Sequence, residues 1–431
     1  MDNTFYIETW GCQMNDLDSQ RISGQLKLRG YRRVEQPSDA SLLLLNTCSI
    51  REKSEHKVFT RLGQLRTEKG RGARIGVCGC VAQQQGEAIL KRAPYVDFVI
   101  GPGSIGYLDE ALEGRSRVVV GFPDDRHYDF LSLDRPSATR AQITVMEGCN
   151  KNCTFCIVPT TRGREVSRTF ESILAETRHA VETGHVEIEL LGQTVNAYRS
   201  LVDGRNFADL LEAVARTEGV KRVRFMTSHP SEVSSRLIDV MRDQLTVSRF
   251  LHLPVQSGSS SVLRRMKRLY TRERYIEIIE TIRREIPGMQ FSTDVIVGFP
   301  GETDDDFEQT LSLMSLVRFG SLFAFKYSPR PGTPALKLGA PVPDVVASNR
   351  LARLFALQET IQQETLMSYT GKTVEVMHEG FSRNDPSVLT GRTDDNWTVN
   401  YSGDPSTPPG TILPVRIDEA RHYTLRGEAT N

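Results

Sequence analysis

Strand-like and helix-like segments alternate along most of this chain, and that alternation limits its fold more than any other feature. Within residues 1–115 the pattern predicts strands at 5–9, 41–46, 74–77 and 96–100. The segments between them predict helices at 16–28, 52–68 and 82–92. Strands separated by helices favour a parallel sheet with helices on its faces. We therefore predict an α/β N-terminal domain over residues 1–120.

A second strand–helix series occupies residues 139–368, after a segment at 121–138 that we interpret as a linker because it contains Pro, Asp and Ser. The predicted strands are 142–146, 186–191, 223–227, 250–254, 290–297 and 322–327. A helical segment follows each of the first five, for instance at 168–183 and 303–317. Six parallel strands with helices between them predict a partly open (β/α)6 barrel, smaller than the eight-stranded barrel.

The chain changes character after a predicted helix at 347–367. Residues 369–431 are rich in Gly, Pro, Ser, Thr and Asp, and short alternating stretches at 373–377 and 397–401 indicate strands. This region predicts a small C-terminal β-barrel.

The composition is that of a globular protein of two or three domains. Hydrophobic residues make up 39% and charged residues 25% of the 431 positions, a length too great for one ordinary core. The longest apolar run, Leu42–Leu45, suits one buried strand and is too short to span a bilayer. The N-terminus lacks the pattern of an export signal. We expect a cytoplasmic protein with no membrane partner.

Seven cysteines indicate ligands rather than disulfides, because the number is odd and the expected compartment is reducing. Cys12, Cys48 and Cys80 each follow a predicted strand of the N-terminal sheet. The carboxyl ends of parallel strands share one edge of a sheet, where ligands gather, so these three cysteines are predicted to lie there. Each of them alone could also be a small buried residue, which is how we interpret Cys78 within its strand.

Cys149, Cys153 and Cys156 form a C-x3-C-x2-C motif directly after a predicted strand. Three thiolates in one tight loop can hold three irons of a [4Fe–4S] cluster and leave the fourth iron open. A zinc site is the alternative, but it would need a fourth Cys or His at short spacing, and none follows before His179. The motif therefore favours a cluster with an open iron.

This motif, with the barrel-like series behind it, resembles the radical S-adenosylmethionine (SAM) superfamily, whose cluster binds and cleaves SAM at the open iron. The N-terminal segments resemble those of methylthiotransferases: Trp10–Asn15, Asn46–Ser49 and Gly79–Gln83. In that family the three N-terminal cysteines hold an auxiliary [4Fe–4S] cluster. The resemblance thus implies two [4Fe–4S] clusters, one on Cys12, Cys48 and Cys80 and one on Cys149, Cys153 and Cys156. The segment Thr390–Thr393, with Val399, resembles the RNA-binding TRAM domain.

Three barrel segments are similar to the methylthiotransferases that act on isopentenyladenosine in tRNA: Leu191–Tyr198, Met226–Pro230 and His252–Gly258. The resemblance implies methylthiolation at C2 of N6-isopentenyladenosine next to the anticodon. One SAM would methylate a sulfur on the auxiliary cluster, and a second would give the radical that removes the C2 hydrogen. Methylthiotransferases of threonylcarbamoyladenosine tRNA or of a ribosomal-protein aspartate remain alternatives, as does a non-catalytic, metal-dependent RNA-binding protein.

The family pattern also implies residues that bind SAM. The positions that match it are Gln193, Gln256, Ser257, Val297 and Glu302. For the last segment the alternative is a tight turn made by Gly298, Pro300 and Gly301, with Glu302 at the start of a helix.

Basic residues cluster at 51–74 and 264–274, although 54 basic and 54 acidic residues balance over the whole chain. Solvated helix faces are the simplest explanation. With the tRNA substrate that the resemblance implies, phosphate contacts are predicted at Arg61, Arg66, Arg264, Arg265 and Arg268. Arg162 and Arg164 could meet phosphate or pair with carboxylates.

The resemblance further implies a one-electron reductant such as flavodoxin or ferredoxin, and we expect a monomer.

Overall fold

The computed structural model describes residues 3–49, 54–70, 72–123, 130–383 and 385–430. Contacts within the chain divide it into two compact units. The first comprises residues 1–136, 147–151 and 157–166, and the second comprises 137–146, 152–156 and 167–431. Of the predicted linker, residues 124–129 lie outside the described residues. Asp134, beyond them, belongs to the first unit and accepts a 2.7 Å bond from Lys27 Nζ.

A parallel sheet with strand order β2-β1-β3-β4-β5-β6 forms the centre of the first unit. Its strands are β1 (Thr4–Thr9), β2 (Arg32–Arg33), β3 (Leu42–Thr47), β4 (Arg74–Gly79), β5 (Phe98–Ile100) and β6 (Val118–Val119). Every residue of β3 is buried, as expected of a central parallel strand that is covered on both faces. The predicted parallel α/β domain is confirmed, although the sequence patterns did not predict the short strands β2 and β6.

The helices of the first unit are α1 (Gln13–Leu28), α2 (Ser54–Glu68), α3 (Cys80–Gln85), α4 (Glu87–Arg92), α5 (Leu108–Leu112) and α6 (Val158–Thr161). The predicted helix at 82–92 is two helices, α3 and α4, because Gly86 has a φ of +45° and interrupts the helical backbone. The predicted start of α2, at residue 52, lies outside the described residues. α1 starts earlier than predicted, directly after Cys12.

The barrel of the second unit consists of two parallel three-stranded sheets, β7-β10-β11 and β12-β13-β14. A parallel bridge between Val223 and Val247 lies next to the start of β12. Two further short strands, β8 and β9, lie where the chain leaves and re-enters this unit. The bounds are β7 (Arg140–Thr144), β8 (Met146–Glu147), β9 (Val166–Ser167), β10 (Glu187–Leu191), β11 (Arg222–Phe225), β12 (Phe250–His252), β13 (Gln290–Val297) and β14 (Ser321–Lys326). The predicted series of six parallel barrel strands is confirmed.

Helices follow the barrel strands, as predicted. They are α7 (Phe170–Glu182), α8 (Phe207–Ala215), α9 (Ser235–Asp243), α10 (Ser260–Arg265), α11 (Arg272–Glu285), α12 (Asp304–Val317) and α13 (Asp344–Met367). Several helices begin at a Ser, Thr or Asn whose side chain accepts a backbone N–H, for example Thr303 before α12. No helix in the described part of the chain is both long and apolar enough to cross a membrane.

The two faces of the barrel strands differ in polarity. Ile143, Ile188 and Val223 belong to the large apolar core that the helices cover. Side chains alternate between the faces of a strand, so the residues between these point into the barrel lumen. Several of them are polar and pair with one another. Gln142 lies 2.9 Å from Glu189, and Glu187 lies 3.4 Å from Arg224 and 3.5 Å from Arg222.

The C-terminal region is a closed barrel with strand order β15-β16-β17-β19-β18, which confirms the predicted β-barrel. Its strands are β15 (Thr373–Phe381), β16 (Leu389–Thr393), β17 (Thr398–Ser402), β18 (Ile412–Ala420) and β19 (Leu425–Ala429). The hairpin that joins β16 to β17 bonds to the amino ends of the β11 and β12 segments. Arg224 Nη2 donates to Thr393 O at 2.9 Å, and the Arg249 N–H donates to the Asp394 carboxylate at 3.0 Å.

Candidate cofactor sites

The three N-terminal cysteines follow three neighbouring strands of the first sheet. Cys12 caps the start of α1 just after β1, Cys48 directly follows β3, and Cys80 is the first residue of α3, directly after β4. β3 pairs with β1 on one side and with β4 on the other, with Thr47 opposite Gly79. The structure therefore brings these cysteines to one edge of the sheet, while their role as ligands stays a prediction.

Gly11 permits a close approach between the segments that carry Cys12 and Cys48. Its φ is +137°, and a Cβ at this position would lie 2.7 Å from Cβ and 3.2 Å from Sγ of Cys48. Gly79, before Cys80, has a φ of +89°, and a Cβ there would lie 2.3 Å from Thr47 O. L side chains rarely adopt such φ values, so both positions require glycine for conformation as well as for space.

Two buried asparagines join the start of α1 to the end of β3. Asn15 Nδ2 donates to Thr47 O at 2.8 Å, and Asn46 Nδ2 donates to Asn15 O at 2.8 Å. The Cys12 thiol lies 3.7 Å from Asn15 Oδ1. These bonds fix the segments that carry Cys12 and Cys48. The motifs around the cysteines contain both asparagines but give no sign of these bonds.

A buried ion pair lies beside the same thiols. Arg162 Nη2 is 2.7 Å from Asp18 Oδ2 and 3.2 Å from Asn15 Oδ1. Burial raises the pKa of the Cys80 thiol, and the neighbouring Arg162 guanidinium acts in the opposite direction. Of the two roles considered for Arg162, the structure shows pairing with a carboxylate. A fixed cation here favours the thiolate form that binds metal.

Cys78 lies within β4, as predicted, and is 1% exposed. Burial raises the pKa of its thiol. Within the described ranges, no neighbouring cation is shown to oppose this effect, whereas Arg162 opposes it at Cys80.

The loop with the C-x3-C-x2-C motif is fixed by hydrogen bonds within each unit. In the second unit, Thr154 donates its N–H to Met266 O at 3.0 Å and its hydroxyl to Arg265 O at 2.9 Å. Its carbonyl accepts a 2.9 Å bond from the Ala335 N–H. In the first unit, the Cys149 N–H donates to Gly163 O at 3.2 Å. Cys149 and Cys153 are buried, and Cys156 is half-buried.

Arg268, predicted to contact RNA, is 9% exposed and lies beside Cys153. Its Nη1 donates to Cys153 Sγ at 3.4 Å, and its Nη2 donates to Pro254 O at 2.9 Å. The guanidinium is therefore not available at the surface. The contact could not be predicted from the sequence, because charge clustering alone does not show which arginine turns inward.

Buried polar atoms without a protein partner lie near the carboxyl ends of the barrel strands. In the part of the chain that the structure describes, they include Gln193 Oε1 after β10, Ser228 Oγ after β11 and Tyr327 Oη after β14. Buried polar atoms are normally hydrogen-bonded, and parallel α/β folds bind ligands at this end of their strands. These atoms fit a polar cofactor, and Gln193 is one of the predicted SAM contacts.

The other predicted SAM contacts have partners within the protein or are apolar. Ser257 is fully buried, and its hydroxyl accepts the Ser259 N–H at 3.2 Å. Val297 is the last residue of β13 and is buried. Glu302 accepts bonds from the Gly298 N–H at 2.6 Å and from Arg350 Nη1 at 2.7 Å. The bonds of Glu302 match the tight turn of the alternative, but the helix that follows starts at Asp304, after the capping residue Thr303, and not at Glu302.

Two residues other than glycine adopt a positive φ at the carboxyl ends of successive barrel strands. Thr227, after β11, has a φ of 66°, and Gln256, after β12, has a φ of 74°. Gln256 is also a predicted SAM contact. Strained backbone of this kind costs about 1–3 kcal/mol per residue and is concentrated at functional sites. Sequence patterns carry no signal for it, because Thr and Gln do not indicate left-handed backbone.

A group of polar side chains in the barrel lumen was not predicted from the sequence. His252 Nδ1 lies 2.8 Å from Ser292 Oγ, and His252 Nε2 lies 3.6 Å from Asp294 Oδ1. His252 and Ser292 are paired across β12 and β13, so both point to the same face. Polar residues at alternating positions in β13, Ser292 and Asp294, were the signal that could have revealed a polar lumen.

The remaining arginines predicted to contact RNA differ in exposure. Arg61 lies 2.8 Å from Glu8 and 2.9 Å from Glu68. Arg66 is exposed, with its guanidinium 5.0 Å from the centroid of the Tyr95 ring. Arg264 is exposed, and Arg265 is half-buried and lies 3.4 Å from Asp306. Three basic residues of the same predicted clusters lie outside the described residues: Arg51, Lys53 and Arg71.

The surroundings of the N-terminal cysteines can accommodate an iron–sulfur cluster. Among the described residues, no group of three or more His, Cys, Asp or Glu side chains has the arrangement that would hold one metal ion. In a cluster each thiolate binds its own iron, so its ligands need not converge on one point. The thiols at one sheet edge, the glycines that give them room and the adjacent Arg162 are compatible with that group.

Three family models match successive parts of the chain. The Uncharacterized protein family UPF0004 matches residues 4–101, the Radical SAM superfamily matches residues 143–314, and the TRAM domain matches residues 367–430. The first of these spans contains Cys12, Cys48 and Cys80, and the second contains Cys149, Cys153 and Cys156.

Full-length relatives and a solved structure extend these matches. The chain is 46% identical to a tRNA-2-methylthio-N(6)-dimethylallyladenosine synthase of Alkalilimnicola ehrlichii, over 99% of this chain and 98% of the relative. It is 46% identical to the enzyme of the same name from Haemophilus influenzae, over 99% and 92%. The radical SAM methyltransferase TsrM from Kitasatospora setae, with cobalamin and a [4Fe-4S] cluster bound, has a TM-score of 0.57 at 13% identity, over 86% and 96%. This last likeness concerns the fold alone.

Proposed function

The chain belongs to the radical SAM methylthiotransferases of the tRNA-2-methylthio-N(6)-dimethylallyladenosine synthase type, and we propose that it methylthiolates C2 of N6-isopentenyladenosine next to the anticodon. As a tRNA methylthiotransferase of the radical SAM superfamily, it uses a [4Fe–4S] cluster and SAM. The observation that carries the proposed substrate is the 46% identity over 99% of the chain to an enzyme named for that nucleoside.

We propose two clusters with separate ligand sets. Cys149, Cys153 and Cys156 would hold the cluster that binds SAM, and Cys12, Cys48 and Cys80 would hold an auxiliary cluster. The shared sheet edge and the glycine before Cys12 support the second set. When bound, the SAM-binding cluster supplies radical chemistry at the substrate carbon, and the auxiliary cluster supplies the sulfur.

The chain's own residues would prepare these sites in three ways. Arg162 holds positive charge beside the Cys80 thiol and so favours its ligand form. Thr154 fixes the loop between Cys153 and Cys156 through its N–H, hydroxyl and carbonyl. Burial of four of the six cysteines, with Cys12 and Cys156 half-buried, would limit the access of water to the sites.

For SAM we propose contacts at the carboxyl ends of the barrel strands. The unpartnered Gln193 Oε1 and the left-handed backbone of Gln256 support this location. Ser257, Val297 and Glu302 would act by shaping this end of the barrel, since Ser257 and Glu302 already bond within the protein.

For tRNA we propose phosphate contacts at Arg61, Arg66, Arg264 and Arg265, together with the TRAM domain. Chemistry on a base requires that it leave the stack, which suits a single-stranded anticodon loop. We further propose a one-electron reductant such as flavodoxin or ferredoxin as a partner. The protein would be a monomer whose three domains span about residues 1–120, 139–368 and 369–431. The spans of the three family models support this division.

The test is nucleoside mass spectrometry after anaerobic incubation of the reconstituted protein with isopentenylated tRNA, SAM, sulfide and a reductant. We expect 2-methylthio-N6-isopentenyladenosine together with deoxyadenosine. Deoxyadenosine without that product would refute the substrate and direct the same assay to threonylcarbamoyladenosine tRNA and to ribosomal protein.

The ligand sets are tested by counting iron in variants of the full chain. Cys80→Ala should lose iron and product, whereas Cys78→Ala, a change two residues away at a buried thiol, should keep both. Equal iron content in the two variants would contradict the assignment of Cys80.

A further inference from the structure

Arg268 occupies an environment unlike that of the other arginines in its cluster. Its guanidinium is buried, and Nη1 donates to the thiol of Cys153 at 3.4 Å. Arg264, four residues earlier, is exposed. A buried arginine is costly unless its donors are satisfied, so this position requires an explanation beyond surface charge.

Fixed acceptors orient this guanidinium. Nη2 donates to Pro254 O at 2.9 Å, and Nε donates to the Tyr270 hydroxyl at 2.8 Å. The Tyr270 hydroxyl donates in turn to Val255 O at 2.9 Å. Arginine presents a rigid planar fork of donors, so two anchored nitrogens fix the direction of the third. That third nitrogen points to Cys153.

The same short segment also fixes the backbone around Cys153. Thr154 bonds through its N–H to Met266 O and through its hydroxyl to Arg265 O, at the end of α10. Lys267 then takes a φ of 54°, and the chain turns to bring Arg268 to the thiol. Residues 265–268 therefore hold both the backbone next to Cys153 and its sulfur.

We infer that Arg268 is a positioning residue that donates a hydrogen bond to the Cys153 sulfur and thereby raises the reduction potential of the cluster that cleaves SAM. This inference rests on the proposed function, because it takes Cys153 as a ligand of that cluster.

The physical basis is electrostatic. Reduction adds one electron to the cluster, and a cation that bonds to a ligand sulfur stabilises the more negative state. Arginine keeps its charge at every pH at which the enzyme works, so the effect is permanent. A lysine could supply the charge but not the planar set of donors that Tyr270 and Pro254 orient.

The test is a potentiometric titration of the full-length reconstituted protein, followed by electron paramagnetic resonance. The cluster of interest is the one whose signal changes when SAM is added. In Arg268→Met we expect the equilibrium constant for its reduction to fall about tenfold, equivalent to about 59 mV for one electron. Arg268→Lys should lie between this variant and the unchanged protein. Arg284→Gln, which removes an exposed arginine on α11, should leave the potential unchanged.

An unchanged potential in an Arg268→Met protein with full iron content would overturn the inference. So would an unchanged potential with a raised KM for SAM, since the guanidinium would then act on the cofactor. If Arg268→Met loses its iron, Tyr270→Phe decides, because it keeps the guanidinium and removes one of its anchors. A lowered potential there supports the inference, and an unchanged one overturns it. Absence of the SAM-dependent signal or of methylthiolated nucleoside in the unaltered protein would instead refute the proposed function.

Discussion

Gly11 is the residue at which space and backbone conformation constrain the cysteine edge most tightly. Gly11→Ala would place a Cβ 2.7 Å from Cys48 Cβ and 3.1 Å from Asn15 Cγ, at a φ of +137°. Overpacking and a strained backbone each cost about 1–3 kcal/mol. We expect the variant to lose part of its bound iron and its methylthio product while deoxyadenosine is still released. Iron analysis and nucleoside mass spectrometry measure these effects.

Gly30→Ala is the matched control for this change. Its φ is +78°, but a Cβ there would meet nothing within 4 Å. It should cost backbone strain without loss of iron. Equal iron loss in both variants would show that general destabilisation, and not the Gly11–Cys48 contact, is responsible.

At the scale of single residues, the positions of the cysteines could be predicted from the sequence better than the contacts of the residues around them. Cys12, Cys48 and Cys80 could be placed at one sheet edge because each follows a strand, and strand positions are visible in the hydrophobic pattern. Arg162 and Asp18 are far apart in sequence, so no local pattern indicates that they pair. Arg268 belongs to a charged run, and its direction depends on the left-handed backbone of Lys267, which the sequence does not indicate.

At the scale of elements, β15 and β17 share a buried histidine. His378 Nδ1 lies 2.7 Å from the Tyr401 hydroxyl in the C-terminal barrel. Burial lowers the pKa of His378 from its ordinary value of 6.5. The unfolded chain therefore takes up a proton near that value, while the folded barrel takes it up at lower pH. The stability that this residue affects is present above about pH 6.5 and falls as the pH drops toward the folded pKa.

In a Trp10→Phe background, where Trp397 is the remaining tryptophan, we expect the urea midpoint reported by Trp397 fluorescence to fall between about pH 7 and pH 5, because His378 takes up a proton on unfolding. His378→Phe should flatten this dependence, since it removes the titrating group and keeps an aromatic ring. His422→Gln, at an exposed histidine near Glu359, is the control and should leave the dependence as it was. An unchanged pH dependence in His378→Phe would count against this explanation.

The elements themselves were largely predictable, whereas their interruptions were not. Most strands of the three parallel sheets were predicted within a few residues, because apolar runs separated by helical periodicity are a strong signal. The division of one predicted helix into α3 and α4 depends on the backbone of Gly86, which amphipathic spacing does not reveal. The edge strands β2 and β6 have two residues each, too few for a pattern.

At the scale of the whole molecule, the C-terminal barrel and the larger barrel formed by β7 and β10–β14 belong to one compact unit. The joining hairpin places Asp394 3.7 Å from Arg222, and the Ser248 hydroxyl donates to its backbone carbonyl. The neighbouring Arg224 and Glu187 side chains are almost fully buried. The two arginines of β11, which pair with Glu187 of β10, thus have partners in the C-terminal barrel.

We therefore expect the two barrels to unfold together. Asp394→Ala should lower their common stability by about 1–3 kcal/mol, because it leaves the Arg249 N–H without its acceptor and removes the carboxylate beside Arg222. Urea titrations in a Trp10→Phe background, in which Trp397 is the remaining tryptophan, can be compared with far-UV circular dichroism. Asp418→Ala, at an exposed ion pair with Arg416, should change little. A Trp397 transition well separated from the loss of helix signal would contradict the common unfolding.

The order of the three regions could be predicted from the sequence, but the assignment of individual segments to the two compact units could not. Residues 147–151 and 157–166 group with the N-terminal part, although they lie within the barrel series. Such long-range grouping depends on packing between segments far apart in sequence, which periodicity cannot reveal. For the same reason the pairing of the Asp394 hairpin with β11 could not be foreseen.

The hairpin at the amino ends of the barrel strands has a consequence for the timing of catalysis. If that end is covered, cofactor, base and both products must all use the carboxyl end, where Gln193 and Tyr327 lie. A single entrance to the site imposes an order of binding and release, in which the molecule that enters first is the last to leave. SAM should then bind before the tRNA loop, and spent cofactor should stay trapped until the nucleic acid departs, so each exchange of cofactor would require a fresh encounter with tRNA.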